Sequence, residues 1–396
     1  MDMSELTALL TPEGLRLLDA AEPVRSSADV ARQVTRLRAA GHSPDLVSAV
    51  VGQARLRERG RAKFGEIAER MLFTRAGLEQ ATRLGVATLH ARRFRDAGFE
   101  SVADLGCGIG GDATGFAGLG LRVLAVEADE VTAAIAAYNL AAFGDAARVV
   151  HGRAEQTDLG DVDAVWLDPA RRTAGHTETR RLADADDYSP SLEVALRIAR
   201  ERPAGIKLGP GLDRGLIPDD VEAQWITVDG TTLEVVLFSG SLARPDVRRA
   251  ALVVTADGAH ELTAPADTDD EPVRELGAFV HEPAGSVIRA RLVGDVARAL
   301  EAGPVAPGIA YLTGDAGVTS PFVSTFRVRE TLPADVKKLG RALRERGIGT
   351  LEIKKRGIDV DPAMLRPKLG LRGDEAATLL LTRIGSARVA ILADRV

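Results

Sequence analysis

Apolar residues recur every three or four positions through ELTALLTPEGLRLLDAA (5–21) and DVARQVTRLRAA (29–40), so residues 1–75 are expected to be helical. LFTRAGLEQATRLGVATLHARRFRDAG (72–98) keeps that spacing and predicts one long amphipathic helix. From Ser101 the period changes. SVADL, LRVLAVEAD, ARVVHGRA, VDAVWLDPA and AGIKLGP are short apolar runs separated by helical stretches such as EVTAAIAAYNLAAFG. Strands alternating with helices imply a parallel, doubly wound α/β sheet. AQWITVDGTTLEVVLFSG (223–240) differs, because two apolar stretches flank Asp229-Gly230, a hairpin signal. Shorter strand-like pieces follow between Leu242 and Ala266, then the acidic loop DTDDEP (267–272). From Phe326 onward the pattern reads strand, helix, strand, helix, strand, strand. The expected organisation is a helical region over 1–75, a seven-stranded domain over 76–242, a β-rich connection over 243–320 and an α/β module over 321–396.

At 396 residues the chain is long enough for two or three separate cores. No apolar run reaches the roughly 18 residues a membrane span needs, so no membrane partner is expected, and no metal-ligand spacing is recognisable, so no metal is expected either. The opening MDMSELTALLTPEG is acidic and lacks the basic-then-apolar order of a secretory signal. Cys107 is the single cysteine, which excludes internal disulfides, and the scattered histidines have no zinc-binding spacing. A reducing, cytoplasmic setting is expected, with Cys107 filling a loop position that needs a small residue. Charge changes the picture more. The formal net of −6 hides 16 basic against 9 acidic residues over 321–396, a net of +7 that leaves −13 on the rest. A basic end on an acidic body points to a polyanionic partner.

The chemistry concentrates in VADLGCGIGGD (102–112), where the first strand meets its loop. Glycines at 106, 108, 110 and 111 let a ligand approach backbone N–H groups at a helix start. They fit both the dinucleotide spacing GxGxxG and the spacing GxGxG. Three features separate the ligands. Asp104 would repel a pyrophosphate and suits the ammonium and sulfonium of S-adenosylmethionine. Glu127 closes the second strand and is placed to accept both ribose hydroxyls of either ligand. Asp168-Pro169-Ala170-Arg171 ends the fourth strand at the carboxyl edge, where such sheets bind ligands and where a dinucleotide enzyme has no need of it.

Taken in order, DLGCGIGGD, VEAD and LDPAR resemble class I S-adenosylmethionine-dependent methyltransferases, whose parallel sheet closes with an antiparallel hairpin. FTRAGLEQAT, AAYNLAAFG, LDPARR, IKLGPGLD, GIAYLTGD and LEIKKRGIDVDPAMLRPKL are similar to bacterial methyltransferases with a THUMP-like C-terminal domain. That likeness runs from about Phe73 through most of the chain. It implies a Rossmann-like core, S-adenosyl-L-methionine as cofactor and, because THUMP domains proper bind RNA, an RNA substrate such as tRNA or rRNA. Asp104, Gly106, Gly108, Gly110, Glu127, Ala128, Ala154, Glu155 and Asp168 are the implied cofactor-binding positions, and Asp168 and Pro169 the catalytic ones. The core is also similar to trimethylguanosine synthases and other enzymes that methylate exocyclic amines of bases.

The sequence departs from that pattern twice. Amine methyltransferases carry Asp/Asn-Pro-Pro-aromatic, in which the acid and a backbone carbonyl accept the amine hydrogens and the ring stacks on the base. Here Ala170 and Arg171 stand at the last two positions. An Arg plane stacks on a base, and Arg171 with Arg172 would alternatively hold phosphate. After the third strand, Gly152-Arg153-Ala154-Glu155 replaces the common Gly-Asp-Ala, leaving Glu155 or the Ala154 backbone to meet the adenine amine. Thr74, Gln80 and Thr82 read as part of a plain helix more readily than as a cover over the cofactor. Asn139 reads as a helix-end hydrogen-bonding residue, and His151, His176 and ADADDY (183–188) as structural or solvated. Lys354, Lys355 and Arg356 end a strand, where consecutive cations repel unless phosphate or solvent screens them, and they read as RNA-backbone contacts. Two rival readings stay open: a small-molecule methyltransferase whose tail covers the sheet, and an RNA-binding protein with a vestigial cofactor pocket.

Overall fold

The computed structural model describes residues 1–171, 188–385 and 387–396, with the backbone alone at 170, 171, 188 and 189. Internal packing divides the chain into two units: Met1–Leu208 with Phe238–Ala243, and Gly209–Leu237 with Arg244–Val396.

In the first unit Asp2, Thr11, Ser26 and Ser43 accept the first free N–H groups of α1 (Met3–Leu9), α2 (Pro12–Asp19), α3 (Ser27–Ala39) and α4 (Pro44–Phe64). Leu6, Leu9, Leu18, Val50, Phe64 and Phe73 form a buried core that also takes in Ile109 of the glycine loop. The N-terminal helices thereby pack on the loop itself.

The long helix expected over 72–98 is broken. Residues Met71 to Phe73 are held outside any helix by side chains: Arg57 donates to the Met71 carbonyl, Asn139 pairs with both backbone groups of Leu72, and Gln53 pairs with both of Phe73. Asn139 also donates to the Ile109 carbonyl at 2.8 Å. Helix α5 (Arg75–Gln80) then ends at Ala81, whose ψ of 139° leaves the helical region. Lys63 Nζ takes the freed carbonyls of Glu79 and Ala81, each at 2.7 Å. Helix α6 (Leu84–Asp96) restarts beyond the gap. Apolar spacing alone does not register these long-range bonds, which override local helix propensity.

Strands β1 (Ser101–Leu105), β2 (Arg122–Glu127), β3 (Ala147–His151), β4 (Ala164–Leu167) and β5 (Ala204–Leu208) are parallel in the order β5-β4-β1-β2-β3. Helices α7 (Gly111–Gly118), α8 (Glu130–Leu140) and α9 (Leu192–Glu201) lie in the connections. β1, β4 and β5 are buried along their whole length, as parallel strands covered on both faces are. Glycine is required at 205, because a Cβ there would sit 2.7 Å from the Trp166 ring. The register pairs Asp104 with Trp166 and Leu105 with Leu167, so the ends of β1 and β4 open side by side. A short antiparallel pairing of 170–171 with 188–189 follows.

The second unit begins its sheet with the expected hairpin, β6 (Glu222–Val228) and β7 (Thr231–Ser239). Asp229 and Gly230 turn it with φ of 49° and 76°, the left-handed pair of a type I′ turn. The last residues of β7, Phe238 and Ser239, belong to the first unit, where Ser239 Oγ donates to the Ala199 carbonyl at 3.0 Å. Strand β8 (Arg249–Thr255) adds parallel to β6 and β9 (Gly258–Ala264) antiparallel to β8, two strands beyond the seven expected.

A separate seven-stranded sheet comprises β10 (Phe279–Pro283), β11 (Gly303–Pro304), β12 (Leu312–Gly314), β13 (Val323–Pro333), β14 (Ile348–Lys355), β15 (Glu375–Ile384) and β16 (Ala387–Arg395). Its order is β11-β12-β10-β13-β16-β15-β14. Two short helices, α10 (Gly285–Arg289) and α11 (Val293–Ala299), follow β10. Helices α12 (Val336–Glu345) and α13 (Pro362–Leu369) bury Leu339, Leu343, Leu365 and Leu369 with residues of β14–β16, completing the element order read from the tail. β10 pairs with β13 from Phe279–Arg327 to Pro283–Val323, and Val280 and Tyr311 share a core with Phe326 and Ile391. A chain ended near Ser320 would lose half of that sheet and core, so questions about the tail call for substitutions in the full chain.

Candidate active site

The loop after β1 turns through Gly106, Gly108 and Gly110 with φ of +90°, +55° and +86°. A Cβ at 106 would also come within 3.1 Å of the Asp168 carbonyl, so the position admits glycine on two counts. The Gly106 and Cys107 N–H groups donate to the Val126 carbonyl at 2.9 and 3.0 Å, tying the loop to the end of β2. Helix α7 starts at Gly111 without a side-chain cap, which leaves its first N–H groups facing the loop. Glu127, at the end of β2, accepts from the Gly108 N–H at 3.0 Å and from the Asp129 N–H at 2.9 Å. Its carboxylate is thereby oriented, and each oxygen keeps a lone pair for another donor. The Ala128 carbonyl meets His151 Nε2 at 3.1 Å, and Ala154 and Glu155 open a short 3₁₀ turn with Glu155 exposed. Cys107 is buried and its thiol is pushed well up, by burial first and then by Asp104 and Glu127, in keeping with a packing role.

Behind the loop lies a cluster of charged residues. Asp104 is fully buried in β1, where the Ala113 N–H in the first turn of α7 is the backbone group that favours its charged form. Burial, then the charges of Asp112 and Asp168, push its carboxyl well above the usual range, with Lys207 pulling the other way. Asp112, in the first turn of α7, accepts from Thr82 Oγ1 at 2.7 Å and meets His90 Nδ1 at 2.9 Å and Lys207 Nζ at 3.2 Å. Burial would raise its carboxyl, but Lys207 and His90 outweigh that and hold it well below the ordinary value. Lys207, in β5, donates to Thr82 Oγ1 at 2.6 Å and lies 2.5 Å from Asp168 Oδ2. The Asp168 side chain, just past β4, is 32% exposed, against 6% for Asp112.

The structure thus brings Asp104, the three glycines, Glu127 and Asp168 together, as the motifs suggested. It adds Thr82, His90, Asp112 and Lys207. Thr82 reads from sequence as a helix position, and only the break at Ala81 turns it toward Asp112. Asp112 closes the glycine motif and Lys207 interrupts the apolar run AGIKL, so each left a trace; His90 left none. Arg172, His176 and 183–187 lie outside the described residues, as does the Arg171 side chain. At the end of β14, Glu282 of β10 accepts from Lys354 and Arg356 at 2.6 and 3.3 Å, so a carboxylate as well as solvent screens these two cations. Lys355 is exposed. Among the described residues no group of His, Cys, Asp and Glu could hold a metal ion, and no helix is long and apolar enough to cross a membrane.

Residues 323–395 match the family model of THUMP domain-like domains, and residues 2–60 that of a domain of unknown function, DUF8688. Over 360 residues the chain is 34% identical to an uncharacterized S-adenosylmethionine-dependent methyltransferase of Mycobacterium tuberculosis, known from strains CDC 1551/Oshkosh and ATCC 25618/H37Rv. That match spans 89% of this chain and 96% of the relative. The chain belongs to the S-adenosylmethionine-dependent methyltransferases. This methyltransferase shares its fold with a proposed methyltransferase of Porphyromonas gingivalis W83, at a TM-score of 0.71 and 18% identity over 94% of this chain and 99% of that one. It uses S-adenosyl-L-methionine, and it carries a THUMP-like C-terminal domain.

Proposed function

We propose that this methyltransferase methylates a base nitrogen of RNA, either tRNA or rRNA. Asp104, the glycines at 106, 108 and 110 and Glu127 would hold the cofactor, and Asp168 and Pro169 would orient the acceptor. The observation that carries the reading is the exposure of Asp168. Of the carboxylates Asp104, Asp112 and Asp168, it is the one a third open to solvent. An amine attacks through its lone pair, so both of its hydrogens need acceptors that point the pair at the methyl carbon. A carboxylate and the Pro169 carbonyl beside it supply two.

The residues fit the cofactor. Burial and the neighbouring carboxylates disfavour the ionised form of Asp104, and the methionine ammonium would supply the cation that restores it. Glu127 has acceptor capacity left for the ribose hydroxyls, and Ala128, Ala154 and Glu155 follow on the adenine side. When bound, the cofactor supplies an electrophilic methyl group on sulfur. Glu127→Ala removes both ribose bonds to a charged acceptor, about 1.5 kcal/mol each. Calorimetry with S-adenosylhomocysteine should therefore find binding weakened by about 100-fold.

RNA as the substrate class rests on the THUMP-like domain and the net +7 of the tail, with Arg171 and Arg172 as further contacts. Because Glu282 already holds Lys354 and Arg356, Lys355 is the cation of the triplet proposed to touch phosphate directly. Lys355→Ala should weaken binding equally across RNA sequences and flatten the log–log salt slope by about 0.7, as loss of one single-strand phosphate contact does. The deciding experiment incubates the protein and labelled S-adenosylmethionine with total RNA from a deletion strain, followed by mass spectrometry of the nucleosides. A methylated base is expected. Label entering small molecules and never RNA would overturn the substrate class.

A further inference from the structure

A lysine inside a fully buried strand needs a reason. β5 reads Ala-Gly-Ile-Lys-Leu, and leucine or isoleucine at its fourth position would suit a covered parallel sheet. Lys207 is 8% exposed, and its Nζ meets groups from three other parts of the first unit: Thr82 from the gap between α5 and α6, Asp112 from α7, and Asp168 from the end of β4. Buried ion pairs are weak sources of stability, since desolvation offsets much of the attraction. The arrangement does accomplish something else. It joins the one solvent-reaching carboxylate of the cluster to two buried groups that cannot turn. Asp112 is held on its other oxygen by His90, and Thr82 is fixed by the helix break that Lys63 stabilises.

We propose that Lys207 is a positioning residue for methyl transfer, holding Oδ2 of Asp168 against the buried Thr82–Asp112 pair so that the carboxylate stays ionised and keeps one orientation toward the acceptor. The inference rests on the reading above, in which Asp168 meets the acceptor. The electrostatics run the same way. Asp168 is faced by Asp104 from β1 and by the Cys107 thiol from the glycine loop. It is faced by Lys207 from β5 and, through Lys207, by Asp112 of α7 and His90 of α6. Among the described residues Lys207 is the cation in contact with Asp168, and an adjacent cation favours the ionised carboxylate. A protonated Asp168 would have one acceptor oxygen fewer for the amine.

Lys207→Met in the full chain tests this. With total RNA from a deletion strain, kcat should fall at least about tenfold near neutral pH. The acid limb of the kcat profile should move up by about one unit or more, as loss of an adjacent cation dictates. The affinity for S-adenosylhomocysteine should change less than about threefold. A lysine that only supports the fold would lower the melting temperature and leave the acid limb where it was, and that result would overturn the proposal. A second measurement does not depend on Lys207→Met folding. Nitrogen-15 NMR of labelled lysine should show the Lys207 Nζ signal of the wild type shifting when Asp168→Asn removes its charged partner; a signal that does not move would equally overturn it. The two readings fail separately: no label in RNA from the wild type counts against the substrate class, whereas label with an unmoved acid limb in Lys207→Met counts against Lys207.

Discussion

Asp168→Ala is expected to reduce methyl transfer by at least about 10²-fold, the scale on which a misplaced acceptor is penalised. The cofactor site should survive. Asp168 would contribute to it through its backbone carbonyl, which packs against Gly106 and which alanine keeps. Asp104 and Glu127 keep their positions on β1 and β2, and Lys207 retains Asp112 and Thr82 as partners. Affinity for S-adenosylhomocysteine should therefore stay within about threefold of wild type. Single-turnover kinetics on RNA from a deletion strain, paired with calorimetry on the product, read the two quantities separately. Turnover at the wild-type rate would remove Asp168 from the chemistry.

Asp112→Ala should act on stability instead. Its carboxylate is buried and accepts from Thr82, His90 and Lys207, so its removal takes a carboxylate partner from a buried cation. Breaking a buried pair from one side costs about 3–5 kcal/mol. Chemical denaturation should show the first unit unfolding at lower denaturant, whereas a loss below about 1 kcal/mol would mean the pair is not formed. The pH dependence has a definite sign. Burial pushes the Asp112 carboxyl up, but Lys207 and His90 hold it well below its unfolded value. Its stabilisation is therefore complete above the ordinary carboxylate range and fades as pH falls through and below that range. Asp112→Asn should flatten this acid-side decline relative to wild type.

How much of this was legible in the sequence depends on the range over which each feature is decided. The glycine loop, Asp104 and Glu127 were readable because a tight turn and the two strand ends beside it are local, and a handful of neighbouring residues specifies them. Parallel strands announced themselves as short apolar runs, the hairpin as Asp-Gly, and the tail as a period switching twice between strand and helix. The doubly wound class follows from that order and needs no tertiary information.

Other features were settled at a distance. Thr82 sits in a stretch whose apolar spacing is helical, yet Lys63, Gln53 and Asn139 draw its flanks out of the helix from positions 18 to 67 residues away. Strands β8 and β9 look like a connection until β6 offers an edge to pair with, and β10–β12 until β13 does, because a strand's register is set by its partner. Glu282 and Lys354 lie 72 positions apart in the chain, and only the sheet that joins β10 through β13, β16 and β15 to β14 brings that carboxylate to the triplet at the end of β14. The same holds for the charged cluster. Composition shows many aspartates and few lysines, but which of them are buried, and which two aspartates meet Lys207, is decided by the packing of separate elements. The sequence by itself determined the order of strands and helices and the glycine loop after β1; tertiary structure decided which charges lie behind that loop, because electrostatic energies depend on distance and burial, and neither is written in a one-dimensional spacing.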